Sequence, residues 1–194
     1  MSLWEAIHQL IGLLGLGEAA KEHRARIRLL NRLESEVGRN LERLHEAIPL
    51  VEHIERRSRE LKSWRVGLAP FCTEYWTDVY QQEQGNLGLL SPKANDLLTH
   101  FYDALEEAKS YRDKLTFQSD DVRKMVNQYV DQGSTEEEAR NMLYPGLLLD
   151  LRSVLKRARA KGEELRPILS KERRLFAPWQ RLKERLHQSR TNQG

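Results

Sequence analysis

Histidine, cysteine and clustered carboxylates are the side chains from which this chain would build a reactive centre. The six histidines are His8, His23, His45, His53, His100 and His187, and none stands in a HExxH or His-x-His arrangement. His45-Glu46 has the form of the first half of a helical zinc motif. Pro49 stands where the second histidine is needed, with Leu50 after it. His45 and His53, with Glu46 and Glu52 nearby, could share a helix face, yet solvated or capping histidines are the expectation. Cys72 with His100 on a following helix would make a nucleophile pair, but no signature surrounds either residue, so a buried structural thiol is expected. Glu106-Glu107, Asp120-Asp121 and Glu136-Glu137-Glu138 read as solvated surface or first helical turns. Walker, GxGxxG and GxSxG loops are lacking. No catalytic residue, metal ligand or cofactor is assigned, and the chain is expected not to be an enzyme.

Cations carry the stronger signal. Residues 152–194 hold 13 Lys and Arg against 4 Asp and Glu, a local balance of +9, on a chain whose net charge is +3. The first 151 residues therefore carry −6. Lys156, Arg157, Arg159, Lys161, Arg166, Lys171, Arg173, Arg174, Arg181, Lys183, Arg185 and Arg190 follow one another, interrupted by Phe176 and Trp179. Phosphate neutralisation asks only for clustered cations, so Arg173, Arg174, Trp179, Arg181, Lys183 and Arg185 are candidate nucleic-acid contacts. A solvated basic face is the competing reading, and no helix-turn-helix is evident.

A second candidate lies at the start. In Leu3–Leu16, LWEAIHQLIGLLGL, Leu3, Trp4, Ile7, Leu10, Ile11 and Leu14 share one helical face. The segment is shorter than the roughly 20 apolar residues that cross a bilayer. It suits an interface, with Trp4 at headgroup depth, or an assembly contact. A basic run including Arg24, Arg26 and Arg28 follows, the order expected for attachment to an anionic membrane face. MSLWEAIHQL lacks the basic start of a cleavable signal, and Cys72 is the only cysteine. The expected place is the cytoplasm, with the inner face of the membrane as the alternative within it.

The positioning elements are helices. Leu30, Leu33, Val37, Asn40, Leu44, Ala47, Val51 and Ile54 step by three and four, widened by Leu41 and Ile48. This seam predicts one helix of about 45 residues, from about Glu18 to Trp64, kinked near Pro49. Asn40 is its polar member, expected to set register or bond a neighbouring helix, and Leu in its place is expected to keep or raise stability. Gly67 to Pro70 break the pattern, and Thr73 is expected to cap a short helix holding Tyr75, Trp76, Val79 and Tyr80. Ser91-Pro92 starts a helix with Leu97, Leu98, Phe101, Tyr102, Leu105 and Ala108 inside, extended to Leu115. Ser119-Asp120-Asp121 starts another, ending at Gly133, and Ser134–Glu138 starts the last. Pro145 with Gly146, and Gly162 with Pro167, are expected to bend or divide that last stretch. Trp64, Tyr75, Trp76, Tyr80, Phe101 and Tyr102 are expected to pack together in the core.

LESEVGRNLERL (33–44), FCTEYWTDVYQQEQGNLGLLSP (71–92) and LLTHFYDALEEAKSYRDKL (97–115) resemble segments of a loose group of bacterial, often membrane-associated helical proteins of unknown function. The resemblance implies a helical fold near a membrane and brings no catalytic residues.

The expected architecture is all-α: an irregular bundle with one long antiparallel-packed helix and a short N-terminal apolar helix. Residues 1–17 form the apolar helix, 18–190 one bundle domain with its basic region at 152–190, and 191–194 a tail. The expected function is a non-enzymatic scaffold or adaptor, membrane-associated or self-assembling through its N-terminal helix, with a protein partner or a second copy. A nucleic-acid-binding accessory subunit, for example of a bacterial defence complex, is the alternative.

Overall fold

A computed structural model describes the backbone of residues 16–191. Within it, the side chains of residues 16, 17, 19, 71 and 176–191 are left aside. The architecture is all-α, as the periodicity predicts. Helix α1 runs Leu16–Leu61, α2 Asp78–Gln82, α3 Pro92–Leu115, α4 Asp120–Asp131 and α5 Glu136–Thr191, with short 3₁₀ turns at Pro70–Cys72 and Gln84–Leu89.

Three helices make the body. Ion pairs of Glu52 with Lys156 and Glu55 with Arg152, and the Arg26–Glu172 contact, step in opposite directions along α1 and α5, which are therefore antiparallel. Glu107 with Arg157 and Ser91 with Glu172 show the same for α3 and α5. Hence α1 and α3 run parallel, and residues 62–91 must travel back along the bundle to join them.

Every seam residue named above is buried, Asn40 included, and most are fully excluded from solvent. Helix α1 is 46 residues long, and Pro49 sits exposed inside it without ending it. The last stretch is not divided at Gly162 and Pro167, because α5 is one helix of 56 residues. Each Pro removes one backbone donor and each Gly costs about 1 kcal/mol in a helix. Burial of Leu148, Leu151, Leu155, Leu165 and Leu169 against two neighbouring helices outweighs those losses. Gly162 is no division point but a point of close approach. A Cβ there would lie 2.7 Å from Phe101 Cε2 and 2.8 Å from Leu41 Cδ2. The three long helices come together at a residue that has no side chain.

Helix ends follow local chemistry. Ser91 caps α3 by accepting from the Ala94 N–H, with Pro92 in the first turn. Thr135 and Glu138 form a reciprocal capping box at the start of α5, and those bonds hold the Glu138 carboxyl below its ordinary range. Helices α1, α3 and α4 close alike, each with a left-handed residue just past its end: Lys62, Phe117 and Gly133. The matching six-to-one bonds run Ser63 to Ser58, Gln118 to Asp113 and Ser134 to Tyr129. Only Gly133 adopts that backbone without a Cβ penalty. Phe117 is held there by its buried ring, edge-on to Trp64 at 5.5 Å.

The return segment is less helical than expected. Tyr75 and Trp76 lie in irregular backbone, and α2 begins only at Asp78. Thr73 turns its hydroxyl back to the Pro70 carbonyl and caps nothing. The aromatic residues split into two groups. Tyr80 stacks on Tyr102 at 4.2 Å, and Phe101 meets Tyr102 edge-on, whereas Trp64 sits with Phe117 and Arg140.

Candidate functional site

Residues 72–91 are held to α1 by a polar stripe beside the seam. The Arg43 guanidinium donates to the Glu74 carbonyl at 2.8 Å and lies 4.3 Å from the centre of the Trp76 ring. Asn40 matches both backbone groups of Trp76 with the two ends of its amide, accepting from the Trp76 N–H at 2.9 Å and donating to the Trp76 carbonyl at 2.7 Å. Glu36 accepts from the Val79 and Tyr80 N–H groups and from the Tyr102 hydroxyl at 2.6 Å. Arg32 reaches Gln82 at 2.8 Å and pairs with Glu83. The spacing 32, 36, 40, 43 is one helical stripe, and the return chain passes over it in reverse order. Asn40 therefore serves the crossover backbone and bonds no neighbouring helix. Replacing it by Leu would orphan two backbone groups, which reverses the expected gain in stability.

These groups are set up for holding a chain. Burial and the Glu36 bond push the Tyr102 phenol far above its ordinary range. Burial pushes the Cys72 thiol up to about 12, so it stays protonated at neutral pH, while His100 is exposed and faces Asp96 at 3.5 Å. Cys72 and His100 thus lack the setting of a nucleophile pair. His45 faces Glu163, and His53 contacts Arg56. Among the described residues, no three of His, Cys, Asp and Glu are grouped to hold a metal ion.

The basic region is largely neutralised where its side chains are described. Arg152 pairs with Glu55, Lys156 with Glu52, Arg157 with Glu107, Arg159 with Glu163, Lys161 with Glu164, and Arg173 with Glu34 at 3.1 Å. The Lys156 ammonium bonded to Glu52 also holds that carboxyl below its usual range. The acidic balance of the first 151 residues and the basic balance of the rest thus meet largely across helix interfaces. Arg166, Lys171 and Arg174 are exposed and make no ion pair with a described carboxylate. The side chains of Trp179, Arg181, Lys183 and Arg185 lie outside the described residues.

On α1, Arg24 bonds only the Ala20 carbonyl, and Arg28 is exposed without a described carboxylate partner. Arg26 instead turns to Glu172 at 3.1 Å, a buried carboxylate that also receives the Ser91 N–H and hydroxyl. The Arg26–Glu172 and Glu34–Arg173 contacts bring the start of α1 and the 171–174 stretch of α5 to one end of the bundle. Arg24 and Arg28 on α1, and Lys171 and Arg174 on α5, are exposed on the helices at that end. Leu3, Trp4, Ile7, Leu10, Ile11 and Leu14 lie outside the described residues, and the chain enters the structure at that same end. No helix among the described residues is long and apolar enough to cross a membrane.

Sequence reading missed Glu36, Glu55 and Glu172, three nearly buried carboxylates that tie elements together. The available signal was the crossover itself. A long return segment with little regular structure leaves backbone donors that need acceptors, and a carboxylate one turn from Asn40 is placed to supply them.

The fold and its contacts define a class, an all-α bundle of three long helices with a strapped crossover. No protein-family model, curated protein or solved structure matches the chain.

Proposed function

We propose that the chain is a non-enzymatic helical scaffold that attaches to an anionic membrane surface through one end. The observation that carries this reading is the exposure of Arg24, Arg28, Lys171 and Arg174, without described carboxylate partners, on the two helices at the end from which the chain continues to the apolar Leu3–Leu14 segment. An apolar segment beside unneutralised cations is the pair of signals that stable interfacial attachment needs. The buried carboxylates and the Cys72 thiol support a structural role for the body, because each is bonded to the scaffold or kept protonated.

Flotation with phosphatidylglycerol vesicles tests the reading, with phosphatidylcholine vesicles as control. The full chain is expected to float with the anionic vesicles and to lose them as salt rises. Replacing Arg24, Arg28, Lys171 and Arg174 by Gln, or deleting residues 1–16, is expected to abolish flotation. A deletion that instead lowers the mass in light scattering without lipid would make the segment an assembly contact. The alternative through Arg173, Arg174, Trp179, Arg181, Lys183 and Arg185 is read in the same protein. Nucleic-acid binding whose logarithm falls by about 0.9 per neutralised phosphate with the logarithm of salt would support it in place of membrane attachment.

A further inference from the structure

A cleft of about 470 Å³ opens at the other end of the bundle, where α1 gives way to the return segment. Trp64, Leu68, Ala69, Pro70, Leu115 and Tyr144 give it apolar walls. Its only charged lining residues are Arg65 and Arg112. Each has an exposed carboxylate partner, Glu137 at 3.1 Å and Glu74 at 3.5 Å, so both guanidiniums can be shared without removing a buried pair. The walls are held firmly. The Tyr144 hydroxyl donates to the Val66 carbonyl at 2.8 Å, and the Asn141 side chain accepts the Trp64 N–H at 2.9 Å.

Two donors at this place lack acceptors. The indole N–H of Trp64 and the Nε–H of Arg140 are both shielded from solvent and unbonded, and the Arg140 guanidinium lies 5.2 Å from the centre of the Trp64 ring. Shielded N–H groups without acceptors are uncommon in folded proteins. Apolar walls, two lining cations and no acidic lining residue are the complement of an apolar body that carries an anionic group.

We propose that this cleft binds a small amphipathic anion, a carboxylate on an apolar acyl body, with the body against Trp64, Leu68 and Leu115 and the carboxylate toward Arg65 and Arg112. The volume falls in the range of small-molecule sites. The site is independent of the membrane-facing end.

Calorimetric titration of the full chain with octanoate tests the proposal, with 1-octanol as the uncharged control. The expected result is one saturable octanoate site per chain and weaker binding of octanol. Arg65→Gln and Arg112→Gln, both at exposed positions, are each expected to weaken binding by about fivefold. Ala69→Phe is expected to block the cleft, and a melting curve confirms that the variant folds. A fluorescence change on binding that disappears in Trp64→Phe places the ligand. Absence of saturable binding at millimolar octanoate would overturn the proposal. So would affinity unmoved by all three lining substitutions, or octanol binding as tightly as octanoate.

Discussion

Helix α1 holds its neighbours by two different kinds of surface. Its seam packs along α5 and shares one apolar core with α3, with Leu30, Leu33, Val37, Leu44 and Val51 buried in it. Its flanking stripe of Arg32, Glu36, Asn40 and Arg43 meets the crossover mainly through the crossover's backbone. Apolar contact is non-directional and tolerates exchange of one hydrophobe for another. Hydrogen bonds to fixed peptide groups tolerate almost nothing, because an unmatched partner remains buried. The seam sets how the long helices lie. The stripe sets where residues 74–83 of the return chain lie upon them.

The largest effect is expected from Glu36→Leu. It strands the Val79 and Tyr80 N–H groups and the Tyr102 hydroxyl, at about 1–3 kcal/mol for each group left unsatisfied; because Val79 and Tyr80 are only half-buried, the lower part of that sum, about 3–5 kcal/mol, is expected. Leu44→Ala in the seam should cost about 2–5 kcal/mol. The two should differ in reach. Leu44→Ala lowers amide-exchange protection throughout the three long helices, while Glu36→Leu first releases residues 76–83. Uniform loss of protection in both variants would erase the distinction between the two surfaces.

Asn40→Leu sharpens it further. It places an apolar side chain at a seam position and removes the partner of both the N–H and the carbonyl of Trp76. A loss of about 2–3 kcal/mol is expected, read from denaturant midpoints at unchanged slope. A variant as stable as the parent would mean that Asn40 acts as an ordinary polar seam residue.

These cases show why one surface was legible in the sequence and the other was not. The seam repeats, so Leu30 to Ile54 announce a buried face whatever the partner is. Glu36 stands in LESEVGRN among other charges, and its one-turn spacing from Asn40 gains meaning only once a crossover 43 residues away is known to need acceptors. Backbone carries no pattern of its own. The same limit hid α5. Pro145, Gly162 and Pro167 are local signals of interruption, and the packing that overrides them comes from residues far along the chain. The candidate end of the bundle was legible as a charge run. Which cations stay unneutralised depended on carboxylates of α1 and α3, such as Glu34 and Glu107, which no local window contains.

Gly162 tests how tightly the seam side is packed. Gly162→Ala gains helix propensity of about 1 kcal/mol but drives a methyl group against Phe101 and Leu41. Overpacking of this kind costs about 1–3 kcal/mol, so a net loss of up to about 2 kcal/mol is expected in thermal melts. A gain in stability would show that the side chains of Phe101 and Leu41 give way freely.

The smallest effect is expected at the outer edge of the stripe. Arg32 contacts Gln82 and Glu83, but its side chain is 45% exposed while Asn40 is fully buried. Water can replace what Arg32 supplies, and an exposed ion pair contributes about 0–1 kcal/mol. Arg32→Gln should therefore lower the denaturant midpoint slightly or not at all, and the little it loses should shrink further in high salt. The same donors and acceptors along one stripe would then range from dispensable to indispensable with depth alone. If Arg32→Gln cost as much as Asn40→Leu, burial would not be what grades the stripe, and the crossover would depend on its most exposed contact.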